Sequence, residues 1–174
     1  MKNKKALSTV IATVLIILLV TISIGIVWKF ISNIVNPEEL EKAHSCFDVE
    51  SSNTVTINGY YTCYNKTLDE VQFSISIEDV DIDGLVITIL ASGNSKSFTL
   101  TNENTNSTNL KPYEGQYGAN VTLPGKNEGK TYVARGFGDI SKVDSIKIAP
   151  IIEVKQCGQS DATYQIDECY LFAN

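Results

Sequence analysis

Residues 7–28 read LSTVIATVLIILLVTISIGIVW, and they decide how the rest of the chain is understood. The stretch holds 22 residues with no charge, mostly Leu, Ile and Val. As a helix it spans about 33 Å, enough for the hydrocarbon core of a bilayer. Ser8, Thr9, Thr13, Thr21 and Ser23 can return their hydroxyls to helix carbonyls, so they are compatible with lipid. No face is polar, and a helix apolar all round must be covered by lipid or by other protein.

Outward from this rod the chain changes character. Of 174 residues, 43% are hydrophobic and 20% charged, which permits a real core and excludes a disordered chain. Residues 45–174 carry nine basic and seventeen acidic side chains, a net of −8, against −6 for the whole. With a pI near 4.8 the protein lacks the basic footprint that nucleic acid needs. Lys2, Lys4 and Lys5 precede the rod and favour a cytoplasmic N-terminus with the remainder outside. A secretory signal fits poorly. Its apolar region is shorter, and Trp28-Lys29-Phe30 is not a small-x-small cleavage site. A one-pass membrane anchor fits better.

Lys4-Lys5-Ala6 followed by Leu7-Ser8-Thr9-Val10-Ile11-Ala12-Thr13 resembles the N-terminus of archaeal type IV pilins and archaellins. The resemblance covers roughly the first 30 residues. It implies a class III leader, residues 1–6, cut between Ala6 and Leu7 by a prepilin-type peptidase. The apolar helix is then kept. Bacterial relatives carry Glu as the fifth mature residue; here that position is Ile11, as is common in the archaeal branch. The Ser8–Thr13 stretch looks more like adhesive pilins than motility archaellins. The expected organisation is leader 1–6, helix and stalk 7–44, and extracellular head 45–174. The stalk would be transmembrane in the precursor and form the filament core after assembly. Expected partners are copies of the same chain through that helix, the membrane, the leader peptidase and the pilus assembly machinery. Ala12, Ser23 and Gly25 would let helices approach closely. Losing the leader would leave 11 basic and 20 acidic residues, a charge of −9. An archaellin, a minor tip or priming subunit, and a single-pass ectodomain that never polymerises are the competing readings.

Beyond Trp28, Phe30, Ile31, Ile34 and Val35 fall at helical spacing. Asn36-Pro37-Glu38-Glu39 either kinks the helix or caps a new one, which should run to about Ala43. From Cys46 the period becomes two. Strands are expected at 54–57, 71–77, 86–90, 97–100, 131–134, 145–148 and 151–154. Turns are expected at Asn58-Gly59, Asp83-Gly84, Gly93-Asn94, Pro124-Gly125 and 136–139. The fold class is therefore α+β: a long N-terminal hydrophobic helix followed by an antiparallel, Ig-like β-sandwich head. The pilin resemblance implies the same shape. Residues 101–109 contain no apolar side chain and read as an exposed loop.

Cys46, Cys63, Cys157 and Cys169 allow three pairings. Outside the cell disulfides persist, and the economical choice is Cys46–Cys63 with Cys157–Cys169, two short loops worth about 3 kcal/mol each. Asn65, Asn106 and Asn120 head glycan acceptor triplets, with Asn106 the best placed. Asp79-Val80-Asp81-Ile82-Asp83-Gly84 matches the opening of a calcium loop, but Leu90 stands where the bidentate Glu is needed. Asp79, Asp81 and Asp83 are thus either a loose calcium site or a solvated strand edge. No other cofactor is suggested. His44 is the only histidine, and no nucleophile, phosphate-loop or metalloprotease motif occurs, so an enzyme is not expected. Tyr60, Tyr61, Tyr64, Tyr113 and Tyr117 offer contact surface.

Overall fold

The computed structural model of the chain describes the backbone of residues 3–34, 37–103 and 105–170, with side chains over 10–32, 44–103 and 107–170. It divides into two compact units, Met1–Glu41 and Lys42–Asn174. Helix α1, Asn3–Ile34, contains the whole apolar rod, and the Ala6–Leu7 bond lies within it. The side chains of Ala6 and Leu7 fall outside the described residues. Helix α2 is Pro37–Ser51. Pro37 suits its first position because its φ is already helical and its missing N–H would have had no partner. The capping role expected of Asn36 lies outside the described residues.

The expected end of this helix near Ala43 is corrected, since α2 runs on to Ser51. Cys46 and Val49 sit one turn apart and are buried, whereas Phe47 is exposed. That one-sided burial is what holds the extra turns. Ser52 closes the end by donating its N–H to the Asp48 carbonyl, and Asn53 follows in the left-handed region at φ 51°.

The described residues after α2 form β1 (Val55–Asn65), β2 (Glu70–Ile77), β3 (Gly84–Ala91), β4 (Asn94–Thr101), β5 (Thr105–Asn106), β6 (Leu110–Pro112), β7 (Asn120–Val121), β8 (Glu128–Arg135), β9 (Val143–Ile152), β10 (Lys155–Gln156) and β11 (Asp161–Ile166). One sheet has the order β1-β2-β8-β6. A second has β10-β9-β3-β4, with β11 also on β9, and β5 pairs β7 separately. These ladders are antiparallel. The chain is an apolar N-terminal helix followed by antiparallel β-sheets, an α+β protein.

Period-two alternation sets the core. Val71, Phe73, Ile75 and Ile77 of β2 are buried, so Gln72, Ser74 and Ser76 face the other side of the sheet. From the second sheet Leu85, Ile87, Ile89, Ile146 and Ile148 join the same hydrophobic cluster, as does Val49 of α2. Each such side chain contributes about 1.5–3 kcal/mol by leaving water.

Several expected boundaries move. Asn58-Gly59 is not a turn: β1 continues through it. The register to β2 jumps from Asn58↔Ser74 to Cys63↔Gln72, so residues 59–62 form an enlarged bulge. The two expected strands at 145–148 and 151–154 are one strand, β9, and the turn falls at Glu153-Val154, with φ of 48° and 66°. Positive φ at both central residues is the geometry of the two-residue hairpin joining β9 to β10. The loop expected over 101–109 contains β5, paired to β7.

Candidate functional site

The chain brings three features to the surface that bear on function. The first is α1. From Val10 to Ser32 it is long and apolar enough to cross a membrane, and none of that span is buried within the molecule. Its hydroxyls turn inward as expected: Thr13 donates to Val10 O at 2.9 Å, Thr21 to Leu18 O at 2.9 Å, and Ser23 to Leu19 O at 2.8 Å. The outer surface of the rod is therefore nearly pure hydrocarbon. Ser8 and Thr9 have side chains outside the described residues. Together with the disulfides, this helix fits a membrane-anchored or secreted protein.

The second is the pair of disulfides. All four cysteines are bridged, but the short-loop pairing is corrected. Cys46 joins Cys157, and Cys63 joins Cys169, with Cα separations of 5.3 and 4.9 Å. Nearness in sequence misleads because β11 lies against the first half of β1. The Ile57 N–H donates to Asp161 Oδ2 at 2.8 Å there. Beyond β11 the chain runs alongside β1, with Tyr64 N donating to Asp167 O and Cys169 N to Tyr64 O. Each bridge thus ties α2 or β1 to the C-terminal part of the chain. Glu50 of α2 also accepts a hydrogen bond from Gly158 N, beside Cys157.

The third is a groove of about 820 Å³ beside Cys63–Cys169. Its floor is the outward face of the first sheet, with Gln72 of β2 and Thr131 of β8. The β1 bulge supplies Tyr60 and Tyr61, Tyr113 follows β6, and Tyr170 follows Cys169. The bulge is braced from inside. Tyr60 N–H donates to Asn58 Oδ1 at 3.1 Å, Thr62 Oγ1 to Asn58 O at 2.8 Å, and Gln72 Nε2 to Tyr61 O at 3.3 Å. Tyr60 is 99% exposed and Tyr170 92%, so neither ring is spent on the core. Tyr170, Asp167 and Glu168 escaped the sequence reading. The signal for Tyr170 was its place next to a cysteine, which says nothing until the pairing is known.

The remaining sequence candidates are dispersed. Lys126 Nζ bridges Asp81 at 2.9 Å and Asp79 at 3.6 Å, and hydrogen bonding to Asp81 raises its pKa. Asp83 instead accepts from Glu153 N–H at 2.6 Å, bracing the β9–β10 hairpin. Among the described residues no group of three or more His, Cys, Asp or Glu side chains is placed to hold a metal. Asn65 Oδ1 accepts from Leu68 N, and Asn120 is exposed on β7. Asn106 stands opposite Asn120 in the β5–β7 ladder, and its side chain lies outside the described residues. His44 pairs with Asp48 at 3.0 Å on an exposed face of α2.

Tyr64 donates to Ser141 O. Tyr117 is taken up in a clamp: its hydroxyl donates to Glu70 Oε1 at 2.7 Å, and the Arg135 guanidinium lies 3.7 Å over its ring. Burial, followed by the bond to Glu70, raises the Tyr117 phenol pKa. Burial likewise raises that of Tyr132, whose hydroxyl donates to Thr122 O. These two tyrosines hold loops to the sheet. No family model matches the chain, and no curated protein matches it.

Proposed function

We propose that the chain is a structural subunit, a pilin, of an archaeal type IV pilus-like surface filament serving adhesion or related surface contact. The observation that carries this reading is α1, whose Val10–Ser32 span is long and apolar enough to cross a membrane and exposes hydrocarbon on every side. It directly follows the Lys4-Lys5-Ala6-Leu7 junction that resembles a class III leader. The precursor sits in the cytoplasmic membrane with its head outside. A prepilin-type peptidase cuts after Ala6, and the assembly machinery draws the helices into a bundle.

Lipid and bundle are both apolar, so side-chain packing supplies the preference for the bundle. Head-to-tail addition with a rotation that does not close gives a filament. In this reading the antiparallel sheets that follow the helix are the Ig-like β-sandwich head of the resemblance, and two disulfides suit a surface location. Glycans at Asn65, Asn106 and Asn120 belong to the same reading. The role is structural, without a catalytic step.

Intact-mass and N-terminal peptide analysis of the protein from a host with an archaeal prepilin peptidase tests this directly. Leu7 should be the first residue. A Met1 or Lys2 start in the presence of active peptidase would instead identify a single-pass anchored ectodomain.

A further inference from the structure

We propose that the tyrosine groove on the outer face of the first sheet binds a neutral carbohydrate chain. The inference goes beyond the filament reading and holds whether or not the chain polymerises.

The lining chemistry selects the ligand. Among the described residues the apolar lining is tyrosine and the Cys63–Cys169 bridge, with no aliphatic side chain. A lipid tail or the apolar face of a partner helix would need aliphatic walls. Among the described residues no lysine or arginine lines the groove, whereas Asp167 and Glu168 do. Phosphates, uronic acids and other anions are therefore repelled, more so by a head with net charge −8.

Two ligand classes suit tyrosine with carboxylates: a quaternary ammonium held in an aromatic cage, or a neutral sugar lying on open aromatic platforms. A cage needs rings that shield one another around the cation. Tyr60 at 99% exposure and Tyr170 at 92% stand open to solvent instead. An open ring face is electron-rich and takes the C–H face of a pyranose. Carboxylates and the Gln72 amide supply hydrogen-bond partners for the ring hydroxyls.

The dimensions agree. One lining residue or segment comes from each strand position across β1, β2, β8 and the end of β6, three strand spacings or roughly 14 Å. That length takes two or three sugar rings. The bulge also gives the site a cause in the backbone: it lifts Tyr60 and Tyr61 out of the ladder and is braced there by Asn58.

The test is saturation-transfer NMR on the full chain in polyoxyethylene-ether micelles, which contain no sugar. The probes are maltotriose, cellotriose, mannotriose and chitotriose, with choline and a sialylated trisaccharide as contrasts. At least one neutral trisaccharide should bind. Tyr60→Ala and Tyr113→Ala should each weaken it about tenfold or more with unchanged melting. Tyr164→Ala, at an exposed tyrosine outside the groove, should leave it intact. The proposal is overturned if no neutral trisaccharide binds, if the two groove variants bind like wild type, or if choline is the preferred ligand. It is also overturned if sugar binds only after residues 171–174 are removed, since the chain's own end would then be the occupant.

Discussion

Gly84 closes the Asp79–Asp83 run, and its neighbours give it a reason to be glycine that involves no ion. A Cβ there would lie 2.8 Å from the Leu100 carbonyl oxygen and 3.2 Å from Ile151 Cδ1. The first of these is backbone inside the β3–β4 ladder and cannot swing aside. Gly84→Ala is expected to destabilise the head by about 1–3 kcal/mol, read by thermal or denaturant melts. Gly59→Ala, with open space around its Cβ, should stay within about 0.5 kcal/mol. Equal losses at both sites would refute this account of Gly84. Val154 is the opposite case, a β-branched residue held at φ 66° and 94% exposed. Left-handed geometry costs an L-residue about 1–2 kcal/mol, partly offset by the extra chain entropy of glycine. Val154→Gly should stabilise the head by about 1 kcal/mol, and a lowered melting temperature would contradict this.

At the scale of elements, alternation made β2 legible, because Val71, Phe73, Ile75 and Ile77 bury one face, and β3 was legible as a short, more fully apolar run. What escaped depends on contacts distant in sequence. The last turns of α2 carry Phe47 and Val49, good strand formers, and stay helical because Cys46 and Val49 meet the head core. Asn58-Gly59 has the composition of a hairpin turn and becomes a bulge because Cys63 is tied to Cys169 and the chain resumes its register there. Strand β11 has a weak pattern, and its place on β9 comes from pairing.

The bridges show the energetic side of the same point. The first closes about a hundred residues and is worth about 4.7 kcal/mol in the chain-entropy picture. With it formed, the second closes a covalent ring of 18 residues from 46–63 and 13 from 157–169, worth about 3.7 kcal/mol. Cys46→Ser with Cys157→Ser should therefore cost the head several kcal/mol in denaturant melts under oxidising conditions. A loss below about 1 kcal/mol would show that the ring does little to restrain the unfolded chain.

For the whole molecule, the uncharged run was legible from composition alone, and it is helical as the sequence implies. The tyrosine groove was not legible, because Tyr60, Tyr113 and Tyr170 are brought together by a bulge, a loop and a disulfide. The two surfaces have separate tasks: α1 is proposed to hold copies of the chain together, and the groove to meet something else. The claim about α1 is the more consequential. Its most direct test is a photo-crosslinking amino acid in place of Leu18, an outward-facing position 51% exposed, in cells that process the precursor. Irradiation followed by shearing of the surface appendages should give a ladder of dimers, trimers and higher oligomers linked through α1. Monomers linked only to lipid and confined to the membrane fraction would contradict it.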